Sequence, residues 1–120
     1  MLHFVAMTTV VHLKRQNGVV VQDCDIYIGR GCYMGGWQLQ QSKWHNPYTV
    51  KEYGDQAIVM YEQYIRASPL INDIEELYGK RLGCWCIDKG APCHGNVLVK
   101  ILNERLYPGW KHLTLNIIRE

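Results

Sequence analysis

Short apolar runs broken by turn residues open the chain. Thr8 to Leu13 (TTVVHL) is β-branched, and Asn17-Gly18 follows it as a strong turn signal. Val19, Val20 and Val21 resume the apolar run, which continues through Asp25-Ile26-Tyr27-Ile28 into Gly29. The two stretches are expected as a hairpin or as adjacent strands. Residues 29–54 show no clear period and are rich in glycine, tryptophan and polar side chains. Irregular segments of such length in a compact domain are functional or flexible in most cases. Asp55 stands at the cap of a helix whose apolar positions Ile58, Tyr61, Tyr64 and Ile65 recur at helical spacing. Pro69 breaks it, and a shorter helix from Ile71 to Tyr78 stops at Gly79.

Lys80 to Cys86 (KRLGCWC) reads as a short buried strand. Residues 96–106 (NVLVKILNERL) place Val97, Leu98, Ile101 and Leu102 on one helical face. Pro108-Gly109 ends that helix, and His112 to Ile118 alternates as a final strand. The order β, β, α, α, β, α, β points to an α/β domain of two or three layers. A chain of 120 residues suits one compact domain over residues 1–120. The expectation is a small, mostly parallel or mixed sheet of about four strands with about three helices. No internal repeat or low-complexity segment interrupts it.

Composition excludes several classes. Thirteen basic against eleven acidic residues leave a formal charge of +2, too small a bias to support nucleic-acid binding by bulk electrostatics. No apolar run approaches the roughly 18 residues that span a bilayer, so no membrane partner is expected. The opening MLHFVAMTTVV lacks a basic leader region and reads as a strand rather than a signal peptide. The five cysteines are an odd number, consistent with reduced thiols in the cytoplasm. The glycine fingerprints of Rossmann and P-loop nucleotide sites are absent.

Candidate chemistry gathers in LGCWCIDKGAPCHGNVL, residues 82–98. On a strand, Cys84 and Cys86 project to one side, and Trp85 to the other, towards the core. Cys93 and His94 stand at the start of a helix, where backbone amides lack intrahelical partners. Three chemistries compete with simple burial of small thiols. Cys84, Cys86, Cys93 and His94 are a possible zinc set, but paired zinc-site cysteines normally have two or more residues between them. No cofactor is therefore expected. Cys93 as nucleophile with His94 as base is a second reading, since a helix start and an imidazolium both favour thiolate.

The third reading is an anion site. Backbone amides around Cys93, His94, Gly95 and Asn96 suit a phosphate or carboxylate, and Gly95 permits close approach. Arg30 follows the strand end at Gly29, and Lys43, Trp44, Asn46 and Tyr48 lie in SKWHNPY. An arginine fork, a lysine and stacking aromatics suit a nucleotide. Arg30, Asn46, Cys93 and His94 are expected to converge on one cleft.

The order of DIYIGRG, SKWHNPY, a tyrosine-rich helix, GKRLGCWC and PCHGNVL resembles the family DUF4326, a domain of unknown function found in bacteria, their viruses and large DNA viruses. The likeness spans about residues 25–102 and leaves 110–120 as a strand-like extension. Asn96 stands where that pattern has an acidic residue, and His45 where a small one is common. The resemblance implies a domain without an established activity.

The expected function is a small-ligand-binding module for a nucleotide or related phosphorylated ligand at a strand-end cleft. Whether it has hydrolase or transferase activity stays open. The alternatives are a zinc-stabilised interaction domain and a structural component of a viral assembly, without catalysis. The setting would then be host cytoplasm or virion, with a homo-oligomer or an assembly partner.

Overall fold

The protein is described from a computed structural model covering residues 7–21, 23–85 and 93–106. Three strands form a parallel sheet in the order β1-β5-β4, namely Thr9–His12, Arg81–Cys84 and Ile26–Tyr27. Thr9 pairs with Arg81 and His12 with Cys84 on one side of β5, and Ile26 pairs with Leu82 on the other. Strands β2 (Lys14–Gln16) and β3 (Val19–Val21) form a separate antiparallel hairpin. Its turn is the expected Asn17-Gly18, with φ of 53° and 79°, the left-handed pair that a tight hairpin turn requires.

Two tertiary contacts recast the expected first hairpin. Leu13 donates its N–H to the Cys84 carbonyl at 3.2 Å and buries its side chain, separating β1 from β2. Beyond β3, Asp25 accepts the Arg81 N–H on its carboxylate at 2.8 Å, and its own N–H bonds the Arg81 carbonyl at 2.9 Å. That exchange turns the chain to run parallel to β5 as β4.

The helices follow the apolar spacing closely. Helix α1 (Val50–Tyr53) is a single turn inside the segment read as irregular, and α2 covers Gln56–Ala67. After Ser68 the chain forms a 3₁₀ helix over Pro69–Leu77 instead of an α-helix from Ile71. Ser68 starts it by accepting the Leu70 N–H, and Pro69 occupies a first-turn position where no donor is needed. Helix α3 spans His94–Leu106, two residues earlier than its apolar period indicates. The expected strand at 112–118 lies outside the described residues.

β5 separates two apolar clusters by alternation. Leu82 and Cys84 face a main core with Ile28, Tyr61, Ile65 and Leu98. Each fully buried aliphatic side chain there contributes about 1.5–3 kcal/mol relative to exposure. Gly83 points the opposite way, against Cys24 and Leu13 of a smaller cluster built on Trp37 and Leu39. Helix α3 sits directly on the sheet because position 95 is glycine. A Cβ there would come within 2.9 Å of both Ile28 and Val10 side chains, closer than packed carbons tolerate.

Candidate functional site

Parallel neighbours end at the same edge of a sheet, and open α/β sheets gather ligand sites outside their carboxyl ends. β4 runs out through Ile28 and Gly29 to Arg30, β5 through Cys84 to Trp85, and α3 begins at His94. These ends meet at a cleft of about 350 Å³. Its opposite wall comes from Asn46 to Val50 and from the start of α2, with Asp55 and Ile58.

Three residues define its chemistry. His94 is 4% exposed. Its Nε2 lies 2.7 Å from the Ile28 carbonyl oxygen, and its ring stands edge-on to Tyr61 with centroids 5.0 Å apart. A carbonyl only accepts, so Nε2 carries a hydrogen, and in the neutral ring Nδ1 is the acceptor. Arg30 is exposed and donates from Nη2 to the Asn46 carbonyl at 2.6 Å. Among the described residues it joins no ion pair. Trp85 is 38% exposed, edge-on to Trp37 at 4.3 Å between centroids, and its Nε1 donates to the Tyr27 hydroxyl at 2.7 Å. That hydroxyl in turn donates to the Arg30 carbonyl. The tryptophan is thus at the cleft and not in the core, because the second sheet face is only partly covered.

Asn46 lines the cleft, but its amide is committed to the loop and to the first turn of α2. Oδ1 accepts the Tyr48 N–H at 2.9 Å across Pro47, and Nδ2 donates to the Ala57 carbonyl at 3.2 Å. This side-chain turn swings Tyr48 into the wall, where it packs edge-on against Tyr53 and Tyr64. Lys43 and Trp44 lie outside the cleft. Lys43 reaches Asp73 at 3.2 Å and Glu76 at 3.0 Å, and these hydrogen-bonded carboxylates hold its ammonium above the usual lysine range. Trp44 is 1% exposed, donates Nε1 to Glu76 at 2.9 Å, and accepts the Tyr61 hydroxyl on its carbonyl at 2.6 Å. It is a core residue and offers no stacking face.

The described cysteines of this stretch, Cys84 and Cys93, are buried. Cys93 is 1% exposed, with Sγ 2.7 Å from Cys84 Sγ and accepting the Gly95 N–H at 3.3 Å. It stands behind His94 rather than on the cleft wall. Gly95 is buried against the sheet, and exposed Asn96 donates its N–H to the Cys93 carbonyl at 2.9 Å. Cys86 lies outside the described residues. Among the described residues no group of three or more His, Cys, Asp or Glu is arranged to hold a metal ion.

Sequence reasoning passed over Asp55 and Trp85. Asp55 stands where a cap is expected, yet its side chain makes no cap hydrogen bond and it borders the cleft. Only the alternation along β5, which sets Trp85 opposite Cys84, carried a signal for the tryptophan.

The profile described as Domain of unknown function (DUF4326) matches residues 11–104. The chain belongs to this family. It is also 50% identical over 99 residues to an uncharacterized protein of Acanthamoeba polyphaga mimivirus, covering 76% of each chain. No solved structure matches it. The family match contains every described residue of the cleft, from Gly29 to His94. Among the described residues no helix is long and apolar enough to cross a membrane.

Proposed function

We propose that the protein binds a nucleotide or a related phosphorylated small molecule in the cleft at the ends of β4 and β5. The observation that carries this reading is Arg30. Its guanidinium borders an aromatic-walled cleft and is held by a neutral carbonyl instead of a carboxylate. One Nη2 bond leaves most of its five N–H donors for a phosphate, which it suits by charge and planar geometry. Tyr48, Ile58 and Trp85 supply flat or apolar surface for a base, and Asp55 supplies an acceptor for sugar hydroxyls. A hydrolase or transferase step here would draw on His94, whose ring the Ile28 carbonyl orients, and not on Cys93, whose thiol meets Cys84 in the core. The mimivirus relative supports a viral setting, in host cytoplasm or virion.

Thermal denaturation with AMP, ADP, ATP and inorganic phosphate tests the reading, since a ligand specific for the folded state raises the melting temperature. A nucleotide should raise it more than phosphate alone, and less so in high salt. No shift with any nucleotide at millimolar concentration would overturn the assignment.

A further inference from the structure

Beyond Arg30 and Trp85 the cleft does not end. A second depression of about 430 Å³ opens on the far side, walled by Tyr27, Cys32, Met34 and Trp37. Arg30 and Trp85 border both. The two hollows differ in kind. The first has polar and acidic groups in Thr49, Asn46 and Asp55. Among the described residues, the second has no charged side chain except the shared Arg30. Its walls are an edge-on tryptophan pair, a phenol and the thioether of Met34, which is 80% exposed. Such a surface takes a flat, weakly polar ring.

Arg30, which joins no ion pair among the described residues, borders both hollows, an arrangement that matches a ligand with a ring at each end and an anionic link in the middle. A single nucleotide leaves one hollow unused. Resting on the nucleotide reading above, we infer that the ligand is a dinucleotide. Its phosphate linkage sits at Arg30, one base lies beside Tyr48 and Ile58, and the other lies against Trp37, Trp85 and Met34.

Calorimetric titration of the intact protein with ADP and with diadenosine diphosphate tests this inference. The probes share adenine, ribose and diphosphate, and they differ by one adenosine and by a lower charge on the larger probe. The two-ring probe should bind about tenfold tighter or more, the order of gain that one stacked base supplies. Met34→Glu, at an exposed position and so expected to melt as the parent does, should bring the ratio of the two affinities close to one. Met34→Ser is the milder substitute if the glutamate variant is less stable. Equal affinities for ADP and the two-ring probe would overturn the dinucleotide assignment and leave the nucleotide reading standing. A ratio unmoved by either Met34 variant would also overturn it, by putting the second base elsewhere. Binding of neither probe would instead overturn the nucleotide reading. A six-base oligoadenylate binding tighter than the two-ring probe would replace the dinucleotide with a single strand.

Discussion

The Nε2 of His94 and the carbonyl oxygen of Ile28 are 2.7 Å apart, a bond that fastens the first turn of α3 to the end of β4 at the back of the cleft. Both residues are buried, so water does not readily replace the imidazole. His94→Ala should therefore cost about 1–3 kcal/mol, the penalty for a buried acceptor left unmade. Urea unfolding reads it, and a loss under about 0.5 kcal/mol would show that the carbonyl finds another donor.

Gly95→Ala should destabilise the protein, against the general helix trend. In an open helix this change gains about 0.5–1 kcal/mol. Here the added methyl meets the Ile28 and Val10 side chains at 2.9 Å. Overpacking costs about 1–3 kcal/mol, so the net effect should be a loss. A raised melting temperature would show that α3 lifts from the sheet without strain.

Among the described cysteines, alkylation of the native protein should reach Cys32 first. Cys32 is partly exposed, whereas Cys93 is buried against Cys84 and reacts only when that region opens. Cys24 should lag behind Cys32 at pH 8, because burial pushes its thiol up and nearby Arg81 offsets this only in part. Cys93→Ser should lower stability by setting a smaller, polar hydroxyl against Cys84 in the main core, although it can still accept the Gly95 N–H. Mass mapping of the labelled thiols decides, and fast labelling of Cys93 in the folded protein would restore it as a nucleophile.

Arg30→Ala should weaken nucleotide binding about tenfold or more, in line with loss of a charge-assisted contact of about 1.5–3 kcal/mol. Its effect on unfolding should be small, since Arg30 is exposed and joins no ion pair among the described residues. Unchanged affinity in the alanine variant would remove the phosphate contact from Arg30.

Acid should weaken the joint between α2 and α3. Burial pushes the Glu62 carboxyl up, but hydrogen bonds from Lys100 and Arg66 outweigh it and hold the group below its usual range. The Arg81 backbone N–H, then its guanidinium, lower Asp25 in the same way. A carboxylate whose pKa is lowered on folding stabilises fully above its unfolded value, about 3.9 for Asp and 4.3 for Glu, and loses this as pH falls through the folded value. The gap between the parent and Glu62→Gln, within about 1 kcal/mol for such surface pairs, should be present at pH 7 and close below about pH 4. A gap constant from pH 7 to about pH 3 would show that these bonds contribute nothing.

Local patterns were sufficient for the elements and for part of the cleft. The 3.6-residue spacing of Ile58, Tyr61 and Ile65 marks α2, Asn17-Gly18 marks the hairpin turn, and a β-branched run marks β1. That Arg30 and His94 border one cleft was legible because strand ends and helix starts share one edge in α/β sheets. Each of these signals depends on neighbours within a few residues.

Tertiary contacts decided the rest. β1, β4 and β5 are joined by backbone bonds between residues far apart in the chain, such as Thr9 to Lys80 and Asp25 to Arg81. No local pattern encodes which run pairs with which. Four neighbours in SKWHNPY went three ways for the same reason. Lys43 turned to Asp73 and Glu76, Trp44 entered the core under Glu76, and the Asn46 turn sent Tyr48 to the cleft. Alternation set Trp85 opposite Cys84, but whether that face met core or ligand depended on how far the Trp37 cluster covered it. A side chain's direction is local, whereas its surroundings are fixed by chain distant in sequence, and only folding brings that chain there.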